Sequence, residues 1–132
     1  MLTDTSFCDA VIDKESLASL LEDLDPLESR ELFSRLVEIY LQETPRKVKA
    51  LAEALASDLP GEVRLASHSI KSSSAMLGAH KAADVSYQIE QFARMGELAG
   101  VSALLAALEQ ECEQVYACLQ SIRDSGFPSE EP

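Results

Sequence analysis

The chain has 132 residues, 46% of them apolar, which suits one domain around a single core and is too apolar for a disordered chain. Its net charge of −12 opposes nonspecific binding to nucleic acid or to an anionic membrane, because like charges repel. Leucine and alanine account for 36 residues and valine and isoleucine for only 12, a skew toward helix formers.

In chain order, the first residues (Met1 to Asp9) lack the basic and apolar regions of a leader, and no apolar run approaches the roughly 20 residues that span a bilayer. Asp13 stands where it caps a short helix bearing Leu17, Leu20, Leu21 and Leu24. Asp25-Pro26-Leu27-Glu28 supplies an N-cap, a proline at the first helical position and an acid at the third. A long helix follows, with an apolar stripe of Leu32, Leu36, Tyr40, Val48, Leu51 and Leu55, and Pro45 is expected to kink it. Asp58-Leu59-Pro60-Gly61 ends that helix and starts a third, carrying Val63, Ala66, Ile70, Ser73 or Ser74, and Leu77. Gly78 closes it as a C-cap or a close-packing position. A fourth stripe is Ala82, Val85, Ile89 and Phe92. Gly96 to Gly100 separates it from a fifth: Val101, Leu104, Leu108, Cys112, Val115, Leu119 and Ile122.

Four amphipathic helices on short loops bury their stripes only against one another. The expected fold is all-α: an up-down-up-down antiparallel four-helix bundle with an additional short N-terminal helix. Residues 1–11 read as an N-terminal extension, 12–123 as the bundle and 124–132 as a flexible tail. Cys8, Cys112 and Cys118 are odd in number and lack C-x-x-C spacing, so neither a disulfide framework nor a zinc knuckle is expected and a reducing cytoplasm fits.

Several chemistries lack their residues. The sequence has no glycine-rich phosphate loop, no Glu-x-x-His pair for a di-iron bundle and no nucleophile elbow. The third helix is more informative. At 100° per residue from Val63, the core residues Ala66, Ile70, Ser74 and Leu77 fall within about 80° of one another, and His68 lies at about 140°, away from them. Lys71 lands at about 80°, Arg64 at about 100°, Ala75 at about 120° and Ser72 at about 180°. An exposed histidine is thus flanked by two cations and two small side chains that leave room for a partner. Val63 to Ile89 carries +2 and the remainder −14, so the basic stretch of an acidic protein surrounds this histidine. A surface histidine beside a lysine also occurs without any function. His80, after Gly78, reads as a surface or capping residue.

The run Ala66-Ser67-His68-Ser69-Ile70-Lys71-Ser72-Ser73-Ser74-Ala75-Met76-Leu77-Gly78 resembles the signature A-H-x-L-K-G-S-x-x-x-L-G of histidine-containing phosphotransfer domains of two-component phosphorelays. The similarity runs from about Ile12 to Ile122 and includes the Arg94-Met95-Gly96-Glu97-Leu98 turn. His68 matches the phosphoryl-accepting histidine, Lys71 the lysine one turn on, and Leu77-Gly78 the closing pair. Ser67 stands where alanine is usual. Ser72 replaces a glycine that resembles a clearance device for the incoming partner, so altered partner choice or rate is expected.

The resemblance implies that His68 takes a phosphoryl group from a receiver-domain aspartyl phosphate and passes it to another receiver, with no kinase or hydrolase activity of its own. Arg64 and Lys71 would favour the free nucleophile and stabilise phosphoryl oxygens. Glu90 matches a position where relatives carry Gln or Glu; it either holds the other ring N–H of His68 or is a solvated surface acid. Arg64, Leu65, Ser72 and Ala75 would form the partner-binding surface. Met76 is a further apolar docking candidate; the alternative for both Leu65 and Met76 is burial under the short first helix. The expected partners are response-regulator receivers and a hybrid sensor histidine kinase. No cofactor is expected on this chain, magnesium belonging to the receiver, and a cytoplasmic monomer is expected. Two alternatives remain: a binding-only adaptor of the same fold, and a chemotaxis-type domain phosphorylated from ATP by a kinase.

Overall fold

Hydrogen-bonding side chains begin the first two helices where the sequence places them. Asp13 accepts hydrogen bonds from the backbone N–H groups of Glu15 and Ser16 and caps α1 (Lys14–Leu21). Asp25 and Glu28 form a reciprocal capping box at the start of α2 (Pro26–Ala56), with Pro26 supplying a residue that has no N–H to leave unpaired. The computed structural model describes residues 6–128. Among them the chain continues with α3 (Pro60–Met76), α4 (His80–Arg94) and α5 (Val101–Asp124), forms a short 3-10 turn at Ser6–Ala10, and has no strand. Among the described residues no helix is long and apolar enough to cross a membrane.

The short connections make α2 to α5 antiparallel neighbours, and packing of α2 on α5 closes the ring into the expected four-helix bundle. α2 remains one helix through Pro45. Its buried stripe is Phe33, Val37, Tyr40, Thr44, Leu51 and Ala54, whereas Leu32 is exposed. The expected Leu32-Leu36 stripe is therefore one residue out of register. Two apolar rows lie about 100° apart on this helix, and the bundle buries the one containing Phe33, leaving Leu36 half-covered at its edge.

α3 and α4 form the most extensive helix pair. Both bury small side chains, Ser67 and Ser74 on α3 and Ala82, Ser86 and Ala93 on α4, and small buried side chains let neighbouring backbones come close. The Ser67 hydroxyl satisfies itself by donating to the Val63 carbonyl at 2.8 Å. On α3 the buried set is Val63, Ser67, Ile70 and Ser74, with Ala66 only half-buried. The core direction is turned by roughly 30° from the sequence expectation, toward the side that carries Lys71. Tyr40 ties α2 to this helix through a 2.8 Å hydrogen bond between its hydroxyl and that of Ser74.

The N-terminal segment belongs to the fold. Cys8, Val11 and Ile12 are buried, and Cys8 is disulfide-bonded to Cys118 of α5. That pairing corrects the expectation of no disulfide: cysteines 110 residues apart in sequence meet only when the chain is folded, so spacing carries no sign of them. Cys112 is a buried free cysteine, whose thiol burial pushes up to about 11. At the other end Phe127 packs edge-on against Phe33, with centroids 5.3 Å apart. The expected flexible tail is thus ordered at least to Phe127, because an aromatic ring there finds apolar surface; residues 129–132 lie outside the described residues.

Gly78 is the joint between this segment and the bundle. Its φ is +77°, it ends α3, and its carbonyl accepts a 2.9 Å hydrogen bond from the Asp13 N–H. A Cβ there would lie 2.6 Å from the Asp13 carbonyl oxygen, too close for contact without backbone movement. Gly96 shares the left-handed conformation, with φ +71° and open space around it. Gly96→Ala is therefore expected to cost about 1–2 kcal/mol for the backbone alone, and Gly78→Ala distinctly more. Urea unfolding midpoints of the two variants test this, and equal losses would show that the Asp13 contact contributes nothing.

Candidate functional site

His68 lies on the half of α3 that faces away from the core, and its side chain is 53% exposed. The packing of α3 on α4 brings Glu90 under it. The Glu90 Oε2 atom is 2.9 Å from His68 Nδ1. The same oxygen accepts a 3.1 Å hydrogen bond from the Arg94 guanidinium, and Oε1 is paired with the Lys71 ammonium at 3.0 Å. Glu90 is only 1% exposed. Of the two options open from the sequence, the surface acid is excluded. Burial pushes its carboxyl up, but hydrogen bonds from Lys71, His68 and Arg94 outweigh this and hold it below the usual glutamate range.

This geometry assigns the ring nitrogens. A carboxylate can only accept, so the neutral imidazole carries its proton on Nδ1 and donates it to Glu90. Nε2 then bears the lone pair, and it has no hydrogen-bond partner among the described residues. Lys71 is held between two groups of α4: the Glu90 carboxylate and the face of Tyr87, whose centroid is 5.3 Å from Nζ. With His68 neutral, Glu90, Lys71 and Arg94 leave the site one positive charge.

Five other residues singled out by sequence lie on α3 with His68. Leu65 and Met76 are 61% and 47% exposed, so α1 does not cover Met76. Ser72 and Ala75 are exposed, and Arg64 is half-buried with no ion pair among the described residues. His80 lies apart, 3.1 Å from the Asp13 carboxylate, where it joins the start of α4 to the cap of α1. Arg94 and Tyr87 were not expected at the site. They stand four residues after and three before Glu90 on α4, a neighbourhood that matters only because Glu90 is buried. Among the described residues, no three His, Cys, Asp or Glu side chains gather where they could hold a metal ion.

Comparison with known proteins identifies the family and the fold. The family profile of the Hpt domain matches residues 35–118. The crystal structure of histidine-containing phosphotransfer protein B (HptB) from Pseudomonas aeruginosa PAO1 is similar over 87% of this chain and 96% of that one, at 28% sequence identity and a TM-score of 0.74. No curated protein matches the sequence. An all-helical bundle, an exposed histidine on its third helix and the profile match together show that this chain belongs to the Hpt domain family, whose members carry out histidine phosphotransfer in two-component phosphorelays and interact there with receiver domains.

Proposed function

We propose that His68 is the phosphoryl-accepting residue, taking the group from a receiver aspartyl phosphate and passing it to a second receiver. The observation that carries this is the Nδ1 contact to Glu90, which leaves Nε2 as the available nucleophile. The Nε2 lone pair attacks phosphorus, an N–P bond forms, and the P–O bond breaks with its electron pair going to the receiver's aspartate. The ring keeps its Nδ1 proton and gains positive charge, which the Glu90 carboxylate offsets. In the onward step an aspartate oxygen of the second receiver attacks phosphorus and the N–P electron pair returns to Nε2.

Lys71 and Arg94 neutralise Glu90 and present cations to the phosphoryl oxygens, with Arg64 adding longer-range attraction. Leu65, Ser72, Ala75 and Met76 form the contact surface around the histidine. Ser72 occupies more of that surface than a glycine would, which tunes the choice of receiver. Magnesium is supplied by the receiver's acidic pocket. The donor receiver is part of a hybrid sensor histidine kinase, and this chain acts as a cytoplasmic monomer. A reducing cytoplasm would open the Cys8–Cys118 disulfide to two thiols.

Incubation with a phosphorylated receiver and magnesium is expected to label the wild-type protein with acid-labile, base-stable phosphate, and to leave His68→Gln unlabelled. Labelling of both would overturn the assignment. Label that arrives only from ATP and a kinase would favour the chemotaxis-type alternative, and binding of receivers with no label the adaptor. Lys71→Ala is expected to slow transfer by roughly ten- to a hundredfold, the worth of one hydrogen bond between charged groups, with helix content unchanged by circular dichroism.

Glu90 links the site to stability. Its carboxyl titrates below its unfolded value, so its contribution is complete above the ordinary glutamate range, near pH 4, and is lost as pH falls through the folded value. The urea-midpoint gap between wild type and Glu90→Gln is therefore expected to be widest at neutral pH and to close below about pH 4; a gap independent of pH would show that the charge contributes nothing.

The compartment has its own test. Alkylation of acid-quenched cells under denaturing conditions is expected to modify all three cysteines, and protection of Cys8 and Cys118 would place the protein in an oxidising compartment.

A further inference from the structure

Tyr87 is a surface aromatic on α4, 46% exposed, and neither its burial nor a hydrogen bond accounts for it. Its ring lies under the Lys71 ammonium at 5.3 Å from centroid to Nζ, within the distance at which a cation is attracted to a ring face. Lys71 has four side-chain torsions and is 29% exposed, so without a second support its ammonium has two resting places, solvent or the Glu90 carboxylate.

The two supports act differently. Glu90 attracts Lys71 with a full negative charge, which also competes with a phosphoryl oxygen for the same ammonium. The ring attracts through its quadrupole and leaves the positive charge unneutralised. We propose that Tyr87 is a positioning residue for Lys71: its ring face keeps the ammonium beside His68 while leaving its charge available to the phosphoryl group. This rests on the role given to Lys71 above and extends it to a residue that touches neither histidine nor phosphoryl group.

Single-turnover transfer from a phosphorylated receiver, measured over a range of receiver concentrations, tests the proposal. Tyr87→Leu is expected to lower the maximal rate about two- to fivefold, the effect of losing one exposed cation–ring contact, without changing the receiver concentration for half-maximal rate. Tyr87→Phe keeps the ring and is expected to restore the rate. In the Lys71→Ala background, Tyr87→Leu is expected to have no further effect, because its partner is gone. A Tyr87→Leu effect that persists in that background, or that appears only as a higher half-saturating concentration, would make Tyr87 a receiver contact and overturn the proposal. Slow Lys71→Ala together with unaltered Tyr87→Leu would overturn it while leaving the role of Lys71 intact. Lys71→Ala with an unaltered rate would instead remove the lysine, and Tyr87 with it, from the mechanism.

Discussion

A carboxylate that is 1% exposed is tolerated only if its charge is met by donors, because removing an ion from water costs far more than any single contact returns. Glu90 meets that condition with His68, Lys71 and Arg94. Each is itself partly exposed, so the pairing places the buried charge at the floor of the site and its partners at the rim. The histidine's tautomer and the arginine's position depend on this one oxygen pair, and the lysine's reach depends on it together with the Tyr87 ring. Removing the carboxylate would leave three donors without a common acceptor.

The arrangement exists because α3 and α4 approach closely. Both helices bury serines and alanines, and a connection of three residues, Leu77 to Ala79, joins them. Gly78 permits that turn, and the N-terminal segment fastens onto it through the Asp13 N–H. His80 adds a second link to the Asp13 carboxylate. The end of the histidine helix is thus tied to the N-terminal segment, while the face bearing Leu65, His68, Ser72 and Ala75 stays open.

Much of the candidate site was legible in the sequence because it lies on one helix. Once α3 is recognised as helical, angular bookkeeping places His68, Lys71, Arg64, Ser72 and Ala75 relative to the core with no tertiary information. The same bookkeeping was less reliable for α2, where two adjacent apolar rows compete and the sequence contains nothing to rank them. Tyr87 and Arg94 escaped notice for a different reason. They are ordinary surface residues of α4, and they acquire a role only because Glu90 is turned inward beneath α3.

Local chemistry therefore decided the helices, their caps, the break at Gly78 and the exposure of His68, since each depends on residues a few positions apart. The tertiary structure decided which row of α2 is buried, that the segment from Cys8 to Asp13 packs on the bundle, and that Cys8 meets Cys118. It also decided that Glu90 is a buried acceptor. The reason is common to all of these: each is a contact between segments distant in sequence, and its partner is selected by how closely two helices pack, which local patterning does not encode.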